Sequence, residues 1–446
     1  MRITRTLIFL LLVAVSATAA TPFPTLNYKH RVLPNGLEIY SVQDRSTPTV
    51  AIHVWYRVGS KSDPEGRSGF AHLFEHMMFK STAHMPSEMM DRLTEDVGGF
   101  NNASTFDDYT AYYEVVPSNY LETLLWAEAD RMGSLNVDEA NFKSERDVVK
   151  EEFRLRVLAP PYGRLFYAIE KNSFTTHPYR RPGFGSIEEL DAASIEDVRA
   201  FHSTFYRPDN AFMMVVGDFD QEQLDGWVDK YFTPIPKPDT AIPRVTTKEP
   251  ARVADKRVDE RAPNVPLPGL ALTWLAPGQS NPDSYPLHLA STILGEGESS
   301  RLNQALVYKS AIATDLNVDA DLREDLGLFT MLIVMASEHS PEEGEKAALA
   351  ELQKFAANPV SASELEKAKN LTITSALRER ETNNGKAFAL GEAIVLQKNA
   401  DEVNRGLQKL QAVTPADVQR ATKTYLEEAK RLTILYRDEN EKGGKQ

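Results

Sequence analysis

At 446 residues, with 42% hydrophobic and 26% charged residues, the chain is long enough for two ordinary domains and has the composition of a soluble globular protein. Its formal net charge of -14 argues against a nucleic-acid binder, which needs basic patches. It contains no cysteine, which excludes disulfides, thiolate metal sites and a cysteine nucleophile.

The N-terminus reads as a secretory signal peptide over residues 1–20. Arg2 and Arg5 precede an apolar run from Leu7 to Val15, and the small-residue pattern Ala17-Thr18-Ala19 follows. The run is short for a membrane span, which needs about 20 residues. Cleavage near Ala19 or Ala20 is expected to release a periplasmic or secreted protein. With no cysteine after the run, a lipoprotein anchor is excluded.

In "LPNGLEIYSVQ", Asn35-Gly36 marks a turn between two strands, and "TVAIHVWYRVG" reads as a further strand. Helical patterns are predicted at about 69–80, 86–96, 118–133 and 138–158. Between them, "GGFNNASTFDDYTAYYEVVP" reads as two strands joined near Asp107-Asp108. Ser194 and Asp197 form a capping box that opens a helix, and "NAFMMVVGDFD" is a buried strand. Pro234, Pro236, Pro238 and Pro243 predict a linker, since helices and central strands tolerate proline badly.

The second half repeats this order. "LPGLALTWLAPG" matches the earlier strand, "DSYPLHLASTILGEGESSRLNQALV" reads as helical, and "TPADVQRATKTYLEEAKRLTILYRDEN" repeats the capped helix followed by a strand. The expected class is α+β. Two homologous units, 21–234 and 248–446, would flank a linker at 235–247, each a mostly antiparallel sheet packed with helices.

The chemistry is concentrated in "GFAHLFEHMMFKST", residues 69–82. Positions i and i+4 share a helix face, so His72 and His76 can both turn a ring nitrogen to one cation. Zinc suits two imidazoles and a carboxylate with a fourth position open to water. Glu75 is placed to reach that water as general base while it attacks a peptide carbonyl. The third ligand is sought in "SERDVVKEEFRL", where Glu145 and Glu152 lie two helical turns apart and share a face, whereas Glu151 is rotated away. Glu152 is therefore assigned to the metal. Glu145 is assigned to accept a hydrogen bond from a ligand histidine and fix its tautomer. The second half has no histidine pair at the equivalent helix, so the site is confined to the first.

The H-x-x-E-H pattern at 72–76, with "ERDVVKEE" at 145–152, resembles the inverted zinc motif of the pitrilysin/insulinase peptidases. The chain length is similar to that of the bacterial and mitochondrial-processing-peptidase-like branch, and the resemblance extends over the mature chain, including the duplication and "SSRL". It implies a zinc metalloendopeptidase with one Zn²⁺ per chain and two homologous domains. Four such domains, supplied by two chains, would enclose a chamber. "GGFNNASTFDDYTAYY" resembles the family's G-G-x-x-N-A-x-T edge strand, on which substrate is added as a strand. Asn102 and Ala103 fall at its substrate-contacting positions. Phe79, Met77 and Met78 are expected in the core.

One departure bears on assembly. The family's active members carry an Arg and a Tyr seven apart after the "SSRL"-like stretch, clamping substrate and supporting the oxyanion. Here Val307 and Thr314 stand at those positions, while Arg301 and Tyr308 have the spacing but lie six residues early. The implied assembly is a heterodimer with a zinc-free homologous chain that carries the pair. A non-proteolytic structural subunit, or a peptide-binding module using the same edge strand, is the alternative.

Overall fold

The structure, a computed structural model, describes residues 23–441, so the expected signal segment lies outside the described residues. Among those described, no helix is long and apolar enough to cross a membrane. The first sheet holds β1 (Lys29–Val32), β2 (Glu38–Gln43), β3 (Thr49–Tyr56), β4 (Phe100–Thr105), β5 (Thr110–Pro117) and β6 (Ala211–Gly217), in the order β1-β2-β6-β3-β5-β4. The second holds β7 (Lys256–Ala262), β8 (Gly269–Pro277), β9 (Ala313–Asp321), β10 (Leu326–Met335) and β11 (Arg431–Asp438), in the order β7-β11-β8-β10-β9.

The duplication is visible in this topology. Each sheet has one parallel pair, β2 with β6 and β7 with β11, at the same place in its order, and every other pairing is antiparallel. Seven of the helices bear on the site or on the contact between the sheets: α1 (Phe70–Met77), α2 (Glu139–Phe153), α3 (Gly163–Ser173), α4 (Ile195–Phe205), α5 (Ser284–Gly295), α6 (Asn383–Val395) and α7 (Pro415–Thr422). Helix α4 opens with the Ser194–Asp197 capping box, and α7 opens with its counterpart, Thr414–Asp417. Each box satisfies two backbone donors that the helix itself leaves free.

Several of the expected helices are shorter or broken: the 69–80 pattern is α-helical only over Phe70–Met77 and the 86–96 pattern over Met89–Glu95. The 138–158 pattern is α-helical only to Phe153 and continues as a π-helical turn, Arg154–Leu158. The "DSYPLH…NQALV" stretch is not continuous: α5 stops at Gly295, Gly297 takes φ 75, and the chain resumes as a π-helical segment at Asn303–Lys309. Only glycine adopts that backbone at little cost, so the break is written at Gly297.

The two halves exchange helices. Leu165, Ala168 and Ile169 of α3 come from the first half in sequence, yet pack with Ala262, Ala271, Ile434 and Tyr436 of the second sheet. In return, Ala387, Leu390, Ala393 and Ile394 of α6 cover Trp55, Phe212 and Met214 of the first. A β-carbon on Gly391 would meet the Trp55 indole at 2.7 Å, so α6 rides directly on that ring. Each fully buried Leu or Ile in these seams contributes about 1.5–3 kcal/mol.

The proline-rich stretch has no helix or strand, but it is tied down. Arg207 donates to the Pro238 and Thr240 carbonyls. Glu249 accepts the backbone N–H groups of Thr175, Thr176 and His177 at 2.6–2.8 Å. Arg252 donates to the Ser173 and Thr273 carbonyls.

Candidate metal centre and substrate cleft

Helix α1 buries Phe70, Ala71, Leu73, Phe74 and Met77 and leaves His72, Glu75 and His76 partly exposed on the other side. Its first residue follows Gly69 at φ 90, which has no side chain of its own to cap the helix. Asp63, 3% exposed, does this from a preceding loop. Its carboxylate accepts from Gly69 N at 2.6 Å and Ala71 N at 2.9 Å. Its oxygens satisfy amides the helix leaves free; burial pushes its pKa up to about 7 against the lowering effect of those same hydrogen bonds. Asp63→Ala is expected to cost about 1–2 kcal/mol of stability, read by denaturant unfolding, with Asp63→Asn recovering part of it. A neutral Asp63→Ala would mean that α1 does not depend on this cap.

Helix α2 turns Phe142, Glu145, Val149 and Phe153 inward. Glu152 sits beside that buried stripe, while Glu151 points out and pairs with Arg154 at 3.0 Å. The Glu152 Oε2 atom lies 3.3 Å from His72 Nε2 and 3.4 Å from His76 Nε2. A tetrahedral shell of radius about 2.0–2.1 Å separates neighbouring ligand atoms by roughly 3.3–3.4 Å, so both carboxylate–histidine separations fit a zinc ion, and the ligand atoms of all three lie within 4.8 Å of one another. The hydrogen bond with His72 is the largest influence on Glu152 and holds its carboxyl at about 2 against burial, the anionic state a ligand needs.

Glu145 is placed behind His76. Its Oε2 is 3.6 Å from His76 Nδ1, and its Oε1 accepts from Lys80 Nζ at 2.9 Å and Ser144 Oγ at 3.0 Å. Burial opposes the charge on Glu145, but the neighbouring His76 and the Lys80 hydrogen bond outweigh it and lower its pKa. Burial likewise opposes a charged His76, and the Glu145 carboxylate with the other surrounding carboxylates outweighs it and raises its pKa. His72 is held differently: its ring meets Phe184 edge-on at 5.0 Å, and its buried Nδ1 has no hydrogen-bond partner.

These side chains line a cleft of about 710 Å³. His72, Glu75, His76 and Glu152 line it together with Asn102 and Ala103 from β4. Strand β4 is the last in its sheet and pairs only with β5. The Ala103 N–H donates to the Asn102 side chain at 2.8 Å. Antiparallel ladders alternate the direction of backbone groups, so alternate residues of β4 offer theirs to the cleft. Phe79 packs against the first core, with its ring 6.2 Å from that of Tyr112, and also lines the cleft, while Met77 and Met78 are fully buried.

The second half reaches this cleft through Asp321 and Arg323. Arg323 binds Asp107 at 2.8 Å and Asp321 at 2.6 Å, joining the β4–β5 turn to the β9–β10 turn. Val307 and Thr314 are elsewhere: Val307 packs against the second core and Thr314 lies exposed on β9. Arg301 is held by Glu364 at 2.9 and 3.1 Å over the Phe355 ring, and Tyr308 is 53% exposed. A second gathering of carboxylates, Asp108, Glu324 and Asp325, surrounds the Lys61 ammonium at 2.5–3.0 Å, so a lysine already supplies the positive charge there.

Asp63, Lys80, Phe184 and Arg323 are absent from the sequence reading. Lys80 had a signal, since it follows His76 by one helical turn. The other three come from loops and turns whose folding no local pattern specifies.

Residues 38–182 match the family model described as "Insulinase (Peptidase family M16)", and residues 192–372 match "Peptidase M16 inactive domain". The chain is 31% identical over 361 residues to "Zinc protease PqqE" of Helicobacter pylori, covering 80% of this chain and 81% of that one. It is 24% identical over 402 residues to "Probable mitochondrial-processing peptidase subunit beta, mitochondrial" of Arabidopsis thaliana, covering 88% and 75%. A crystal structure of a protease from Helicobacter pylori superposes with TM-score 0.89 at 28% identity, covering 92% of this chain and 99% of that one.

Proposed function

The chain belongs to the insulinase family of peptidases, family M16, and from that premise we propose that it is a zinc-dependent endopeptidase acting on extended peptides. One observation carries the reading: ligand atoms of His72, His76 and Glu152 lie within 4.8 Å of one another, and the three side chains line one cleft with Glu75 and the edge strand β4. His72, His76 and Glu152 would hold the zinc ion. Bound there, zinc supplies Lewis acidity, polarising a carbonyl and making water easier to deprotonate.

The remaining work falls to the chain's own residues. Strand β4 takes the substrate backbone as an added strand, with Asn102 and Ala103 at the contact. That mode demands extended backbone and little particular sequence, so unstructured peptides are the expected class. Glu75 accepts the proton of the attacking water and returns it to the departing amine. Glu145 keeps the His76 ring oriented.

The proposal extends to assembly and place. The mature chain would be two homologous units, 21–234 and 248–446, around the strap at 235–247. It would work in the periplasm or outside the cell once the segment at 1–20 is removed, and would pair with a zinc-free homologue. The relative called a processing-peptidase subunit beta supports pairing, since that name denotes one member of an assembly.

Elemental analysis is expected to give about one zinc per chain. Glu152→Gln should lower occupancy far more than Glu151→Gln, whose side chain points away from the histidines. Equal losses would undo the ligand assignment. A chain without zinc or peptide cleavage, even with a partner present, would favour the non-proteolytic alternative.

A further inference from the structure

Lys80 stands one turn beyond the end of α1, where its N–H donates to the Met77 carbonyl at 3.1 Å. The spacing 72, 76, 80 continues the histidine stripe, and the Lys80 ammonium meets Glu145 Oε1 at 2.9 Å. The Glu145 side chain is 5% exposed and that of Lys80 is 20% exposed. A carboxylate this buried is costly unless its charge is compensated and its oxygens are bonded. Oε2 is turned to His76, and Oε1 has Ser144 and Lys80.

We infer that Lys80 is a positioning residue of the metal centre, acting on His76 through Glu145. Its ammonium fixes Oε1, so Oε2 stays in place to receive the Nδ1–H of His76 and the ring's Nε2 is aimed at the metal. His72 needs no such hold from a carboxylate, because Phe184 braces its ring. The metal's affinity therefore depends on a residue that touches neither the ion nor a ligand. The inference rests on the zinc reading above.

Zinc affinity of the full chain, measured by competition with a chromophoric chelator, tests it without reference to activity. Lys80→Met should weaken zinc binding by about tenfold, within the range seen when groups that orient ligands are lost. Lys80→Arg should restore most of the loss, since a guanidinium also reaches and neutralises the carboxylate. In a Glu145→Gln background, Lys80→Met should cost almost nothing more, because the group it acts on is gone. Unfolding of the zinc-free variants gives stability separately, and a Lys80→Met change in stability alone, with affinity unchanged, overturns the inference. So do additive losses in the double variant. If Lys80→Met does not fold, Lys80→Gln and its double variant with Glu145→Gln answer the same question. A wild-type chain that binds no zinc sinks the functional reading and this inference together, whereas normal wild-type binding with unaffected Lys80 variants sinks the inference alone.

Discussion

Glu75→Gln is expected to keep its zinc and its fold while peptide hydrolysis falls by about 10²- to 10⁴-fold, the usual contribution of a general base. The amide has the shape of the carboxylate but cannot take a proton from water. The fold should be indifferent, because α1 is anchored by Phe70, Leu73, Phe74 and Met77 on its opposite side and by Asp63 at its start. Other carboxylates line the cleft and set the control. Asp107 and Asp321 are committed to Arg323, and Glu170 accepts from the Gly183 N–H at 3.3 Å. Glu170→Gln should therefore leave the proton-transfer step in place. An essentially unchanged rate in Glu75→Gln, or an equal loss in Glu170→Gln, would reject Glu75 as the base. Zinc content must be measured on each variant, since a loss of metal would mimic a loss of base.

How far the residues disclose this site depends on how local each part is. His72, Glu75, His76, Glu145 and Glu152 lie on two helices, and helical periodicity alone says which of them share a face. The same periodicity rotates Glu151 away from Glu145, and in the structure it pairs outward with Arg154. The duplication was legible too, because capped helix followed by buried strand is a pattern in composition. Helix exchange was not legible. Leu165 and Ile169 announce an apolar face, but nothing in their spacing says that the face belongs to the other sheet. The proline-rich stretch misleads in a related way. Its prolines exclude regular structure correctly, yet Arg207, Glu249 and Arg252 fasten it through backbone groups that no side-chain pattern foretells. The same limit hides Arg323, which reaches the cleft only because two hairpin turns from different halves meet.

The purified chain alone is expected to bind zinc and to turn over peptides very slowly. Nothing at positions 307 and 314 helps its own cleft: Val307 is packed in the second core and Thr314 is exposed on β9. Losing one oxyanion donor costs about 10²- to 10³-fold in turnover, and on the partner reading two such groups would come from a second chain. A zinc-free homologue bearing the Arg and Tyr should restore cleavage of an unstructured peptide, with activity rising until the two chains are equimolar. Placing Val307→Arg and Thr314→Tyr in this chain should rescue part of the activity if two copies pair so that one copy's second half faces the other's zinc. The decisive measurement is turnover by the single chain at known zinc occupancy. Fast turnover there overturns the partner reading and returns Arg301 and Tyr308 as candidates. Arg301 would then have to leave Glu364, which now holds it through two hydrogen bonds. Glu364→Gln would then be expected to raise single-chain activity by freeing the guanidinium, whereas under the partner reading it should leave the slow rate unchanged.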